Sequence, residues 1–206
     1  HDSSSDEEDG DVFVPRKIKK AIEKEIPYDM IPLDVRPLYD AALEKEWAEW
    51  KRWKAVEIMS LAESRKVEQD PVESQRIIDS RVAYRNKNAG KDPSELLKRG
   101  KSLIEAKARL CGRCFKDPDA WKLRKDSPTA GRLALMILLQ IATSNDWEII
   151  GADARSAFMQ GGKDTGREGQ RLYMRPPRNG KLPDVMAGQL ILILGAVYGL
   201  VNSPRL

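Results

Sequence analysis

Residues 131–144, GRLALMILLQIATS, are apolar nearly all round a helical wheel. A helix of that kind is expected to be buried on most of its sides. Asp126, Ser127 and Thr129 stand where N-caps would sit, with Pro128 near the first turn. The next block, WEIIGAD at 147–153, reads as a strand that delivers one carboxylate, Asp153, at its end, with an aromatic ring five residues on at Phe158. No run of 18 apolar residues occurs, so no membrane span is expected.

The remaining elements follow from periodicity. Residues 36–54 predict a helix with Pro37 in its first turn. Leu38, Ala42, Trp47, Trp50 and Trp53 recur every three to four positions; the tryptophans suit either a packing stripe or base stacking, and helical spacing favours packing. Residues 75–85 and 105–115 predict strands, and the alternation in Arg81-Val82-Ala83-Tyr84-Arg85 marks one half-buried face. The simplest pairing is antiparallel, across a long basic, turn-rich connection. RLYMR at 171–175 predicts a short strand ending in Pro-Pro, and 189–197 predicts another buried strand. Strands and helices interleave without a βαβ rhythm, which points to an α+β fold.

Charge is unevenly spread. Residues 1–11 hold six acids and no Lys or Arg, while the whole chain carries a net +4, so the rest sits near +10. The acidic, serine-rich start is expected to be disordered. Residues 12–33, with PRKIKK and three prolines, read as a linker or arm, which puts a boundary before a folded unit at 34–206. A basic body suits a polyanion such as nucleic acid, although a Lys/Arg-rich surface can also be merely solvated. Cys111 and Cys114 form a CxxC, but zinc needs two more ligands and His1 is the sole histidine. They therefore read as structural or incidental thiols. Few cysteines and no signal-peptide pattern suggest an intracellular protein, cytoplasmic or nuclear.

The order KARL (107–110), CGRCF (111–115), DSPTAGR (126–132), ADARSAFMQG (152–161), LYMRPP (172–177) and VYGLVNSPR (197–205) resembles the reverse transcriptase domain of copia-type LTR retrotransposons, over about residues 40–206. The resemblance implies polymerase fingers followed by the beginning of an antiparallel palm sheet. It implies two-metal nucleotidyl transfer in a complete enzyme, with Mg2+ as cofactor and a primer–template and deoxynucleoside triphosphates as partners. Asp153 matches the first metal-binding aspartate, and Phe158 the aromatic beneath the incoming sugar. Lys107 and Arg109 match basic positions near the triphosphate. Tyr198, Gly199, Ser203 and Pro204 match the segment lining the nucleotide and template side of the pocket, and Arg132 an arginine at the start of the fingers helix. The family's paired aspartates have no counterpart up to Leu206, Cys114-Phe115 replaces Gly-Phe, and Asn88–Ser102 is longer than the family's connection. This chain by itself is therefore expected not to polymerise. An incomplete palm also predicts exposed strand edges. The alternatives are a non-catalytic nucleic-acid-binding module from such an element, and a structural protein with no nucleic-acid role.

Overall fold

Helix α1, Arg36–Arg52, is the beam on which the fold is laid. The computed structural model describes residues 25–123, 130–153, 157–160 and 169–200. Along α1, Tyr39, Leu43, Trp47 and Trp50 are buried, a stripe with helical spacing that fills the centre of the main core. Both Trp47 and Trp50 are fully enclosed. Trp47 also donates its indole N–H to the carbonyl of Pro183, 3.1 Å away. The tryptophans thus pack rather than offer faces to bases. The stripe begins at Tyr39, not Leu38, which is exposed.

Strands β3 (Ser80–Asn86) and β4 (Ala106–Gly112) form the expected antiparallel pair, from Ser80 opposite Gly112 to Asn86 opposite Ala106. Side chains alternate across a strand, so Val82, Tyr84, Ala108 and Leu110 all enter the core with α1. The connection is not only turn. It holds a short helix, Pro93–Lys98, whose N-cap Asp92 accepts from the Ser94 N–H.

A second sheet has the order β1–β6–β5–β2, from β1 (Val56–Ile58), β6 (Ile191–Ile193), β5 (Leu172–Met174) and β2 (Ile77–Ile78). Its first three strands pair antiparallel and β5 with β2 pairs parallel. Helix α2, Leu61–Gln69, starts at a capping box between Ser60 and Glu63. Ser64 on α2, fully buried, accepts from the Leu190 N–H at 2.9 Å. Both sheets contribute to one hydrophobic core, and the whole is α+β.

The run expected as one strand over 75–85 is divided at Asp79. Before it, Ile78 accepts from the Arg175 N–H; at it, the Asp79 carbonyl accepts from the Arg113 N–H. The chain therefore passes from one sheet into the other. Residues 25–33, read as part of an arm, lie against the hairpin: Ile26 bridges Tyr84, and Ile31 is buried in the core.

Two expectations fail in the second half. Residues 147–153 form no strand, and Ile149 and Ile150 are exposed. Among the described residues no strand pairs with this segment's backbone. Helix α4, Arg132–Ser144 (α3 being Pro93–Lys98), forms as expected, but of its residues only Ala142 is buried. Leu133, Met136, Ile137 and Leu138 are each more than half exposed. No described element packs along it. Gly131 stands at its N-cap without a side-chain cap, while Asp126, Ser127, Pro128 and Thr129 lie outside the described residues.

Candidate nucleic-acid interface

The alternation that buries one face of the β3–β4 hairpin sends the odd-numbered residues to the other. Arg81 stands opposite Cys111, Ala83 opposite Arg109, and Arg85 opposite Lys107. This face therefore carries four cations, one alanine and one thiol, with no acid from either strand. Successive same-face residues on a strand lie about 6.8 Å apart, so positive charge recurs at each level of the ladder. Arg85 and Arg109 are exposed, Lys107 partly so.

Flanking elements tune it. Glu46 on α1 is half-buried, and burial holds its carboxyl above the ordinary range, opposed by the Trp50 indole N–H and the charges of Arg109 and Lys107. Burial lowers the Lys107 ammonium, and the neighbouring charges of Arg109, Lys87 and Arg85 add to the effect. The Lys107 charge is thus held among like charges, and an incoming anion would relieve that repulsion. Burial raises the Cys111 thiol, the opposite of what a reactive thiolate needs. That suits its reading as a structural thiol.

The far end of the chain seals the hairpin. The Tyr198 carbonyl accepts from the Gly112 N–H at 2.9 Å, and the Arg109 guanidinium lies 4.7 Å from the Tyr198 ring centre. Gly199 has φ +94°, and a Cβ there would collide with the Gly112 carbonyl oxygen, so the position requires glycine. On β3, Val82 is clamped by Asn179, whose carboxamide accepts from the Val82 N–H at 2.9 Å and donates to its carbonyl at 2.7 Å. The Ile26 N–H donates to the Tyr84 carbonyl. Both edges of the pair are therefore covered at these points, by groups distant in sequence.

Of the residues singled out in the sequence, Arg109 and Tyr198 come together, Gly199 stands against Gly112, and Lys107 shares the strand face of Arg109. Asp153 does not join them. It sits on irregular, exposed backbone beyond α4, and no group of three or more candidate metal ligands occurs among the described residues. Arg132 begins α4, exposed. The Phe158 backbone lies in a short 3₁₀ turn, Ala157–Gln160; its side chain, and Ser203 and Pro204, lie outside the described residues. Sequence reasoning passed over Glu46, Arg81 and Arg85. The arginines were legible as the polar phase of the RVAYR alternation; Glu46 was not, since its proximity depends on how α1 seats on β4. Among the described residues no helix is long and apolar enough to cross a membrane. Comparison with protein-family models, with curated proteins and with solved structures gave no match in any of the three.

Proposed function

We propose that this chain binds nucleic acid through the open face of the β3–β4 hairpin. The observation that carries the reading is the row of Arg81, Arg85, Lys107 and Arg109, to which neither strand adds an acid, held on a backbone whose two edges are clamped. Beside the row stand Glu25, paired with Arg81, and Glu46. A phosphodiester backbone answers such a row without regard to sequence. Tyr198, fixed beneath Arg109, supplies a stacked guanidinium with restricted freedom, and a preordered fork loses less entropy on meeting a phosphate. The test is anisotropy titration of a labelled single-stranded oligonucleotide between 50 and 200 mM salt. With Lys107→Ala and Arg109→Ala together, the slope of log K against log salt should fall by about 1.4, two contacts at about 0.7 each for a single strand. Unchanged affinity and slope would sink the reading.

A finer reading, that the chain is the fingers and early palm of a copia-type RNA-directed DNA polymerase, is supported by the order of its six motifs. It is also supported by the contact between two of them, at Gly112 and Tyr198. That enzyme would use Mg2+, a primer–template and deoxynucleoside triphosphates. The described residues do not fit a Mg2+ site: the cation prefers several oxygen ligands in octahedral array, and Asp153 belongs to no such group. No catalytic step is derived for this chain. Primer extension on an RNA template should give no product; extension abolished by Asp153→Ala would restore the catalytic reading.

A further inference from the structure

Beside the Arg81 end of the hairpin face lies a concavity of about 580 Å3. Arg81, Arg113, Lys116, Arg175 and Arg178 line it, against two acids, Glu25 and Asp79. The acids are engaged: Glu25 pairs with Arg81, and Asp79 with Lys116 at 2.8 Å. Arg175 pairs with Glu68 outside the bowl. Arg113 and Arg178 make no ion pair within 4 Å among the described residues, and five cations face two acids in the bowl.

Its walls are held by main-chain and side-chain bonds. The Arg175 N–H donates to Ile78 and the Arg113 N–H to Asp79. Ser80 donates its hydroxyl to the Arg175 carbonyl at 2.6 Å. Asn179, next to Arg178, is the residue that clamps Val82. Two prolines, Pro176 and Pro177, stiffen the intervening turn. The local field is positive: the Lys116 hydrogen bond and then the charges of Lys116, Arg175 and Arg113 hold the Asp79 carboxyl below its ordinary range.

We propose that this bowl seats a backbone phosphate of the same single nucleic-acid strand that crosses the hairpin face, with Arg113 and Arg178 as its ligands. This rests on the nucleic-acid reading above. Two guanidiniums suit a phosphate because each offers a planar fork of donors to its oxygens. Arg81 makes the two regions continuous, since it belongs both to the cationic row and to the wall of the bowl. The strand then follows the ladder from the Arg85–Lys107 level past Arg109 to Arg81 and turns into the bowl.

The test uses the full chain and the same oligonucleotide titration. Arg113→Ala with Arg178→Ala should lower the salt slope by about 0.7, for the one phosphate they share, and combining it with the Lys107/Arg109 pair should lower it by about 2.1 in all. A second pair, Arg113→Gln with Arg178→Gln, keeps the side-chain bulk and should give the same loss; both are compared with wild type by thermal melting. A wild-type slope and affinity in the bowl variants, while the Lys107/Arg109 variant is weakened, overturns the bowl and leaves the hairpin reading standing. No binding by wild type at 50 mM salt overturns both. Inorganic phosphate and pyrophosphate are titrated in parallel by NMR. Shifts of the Arg113 and Arg178 amides with free phosphate, beside an unchanged oligonucleotide slope, would make the bowl a site for a small phosphate instead and overturn the strand.

Discussion

Helices α1 and α4 are both rich in large apolar side chains, and the protein treats them oppositely. The four apolar residues of the α1 stripe vanish into the core against β3 and β4. Those of α4 stand in solvent, with Leu133 at 73% exposure. Composition does not distinguish them, since α4 is the more apolar of the two. What differs is supply. The hairpin offers α1 a matching apolar face of Val82, Tyr84, Ala108 and Leu110, whereas no described element offers one to α4. Apolar content sets the demand for a partner, and topology decides whether it is met.

That contrast can be broken most sharply at Trp47. Trp47→Ala should cost about 3–5 kcal/mol through lost transfer energy and the cavity left behind, and urea unfolding would read it. A loss under about 1 kcal/mol would mean the core is not as closed as described.

Gly199→Ala probes the seal on the same half. The positive φ and the collision with Gly112 should cost about 2–3 kcal/mol and detach Tyr198 from Arg109. A drop in Tyr198 fluorescence anisotropy or a lost amide protection at Gly112 would report it.

A pH scan sharpens the comparison further. The folded-state pKa of Asp79 is depressed, so its brace to Lys116 contributes stability above the unfolded value of about 3.9 and loses it as pH falls through the lower folded value. Asp79→Asn should lack that part of the acid limb in a series of melts between pH 2 and 5. An acid limb identical to wild type would remove Asp79 from the account.

The smallest effect belongs to α4. Leu133→Ser with Ile137→Ser should change unfolding free energy by about 0.5 kcal/mol or less per site, as at exposed positions, while lowering self-association seen by light scattering. A loss of several kcal/mol would show that α4 has a partner after all.

The α1–hairpin half was legible in the sequence because its signals are local and agree with one another. RVAYR alternates with period two, the tryptophans recur at helical spacing, and both patterns bury the faces they predict. The capping box at Ser60 and Glu63 and the Asp92-Pro93 start were equally readable, though the helices they open were not foreseen. The second half misled for a physical reason. WEIIGAD has strand-like composition, but a strand exists only through hydrogen bonds to a neighbour, and whether one is present is not a property of those seven residues. Lys107, Arg109, Tyr198 and Gly199 were assembled by resemblance; the structure sets Tyr198 against Arg109 and Lys107 farther along the same strand face. Arg113 and Arg178 had no periodic signature, because the bowl is made by segments far apart in the chain.

The clamped hairpin has a kinetic consequence. Its own turn connects strands only about twenty residues apart, whereas Asn179 reaches Val82 across 97 positions and Tyr198 reaches Gly112 across most of the same span. Contacts that close longer loops cost more chain entropy before they are rewarded. The hairpin and α1 should therefore be the early structure in refolding, and the clamps the late one. During synthesis from the N-terminus, β3 and β4 would emerge with only the Ile26 bridge to Tyr84 on an edge, until residue 179 and then residue 198 arrive to close them.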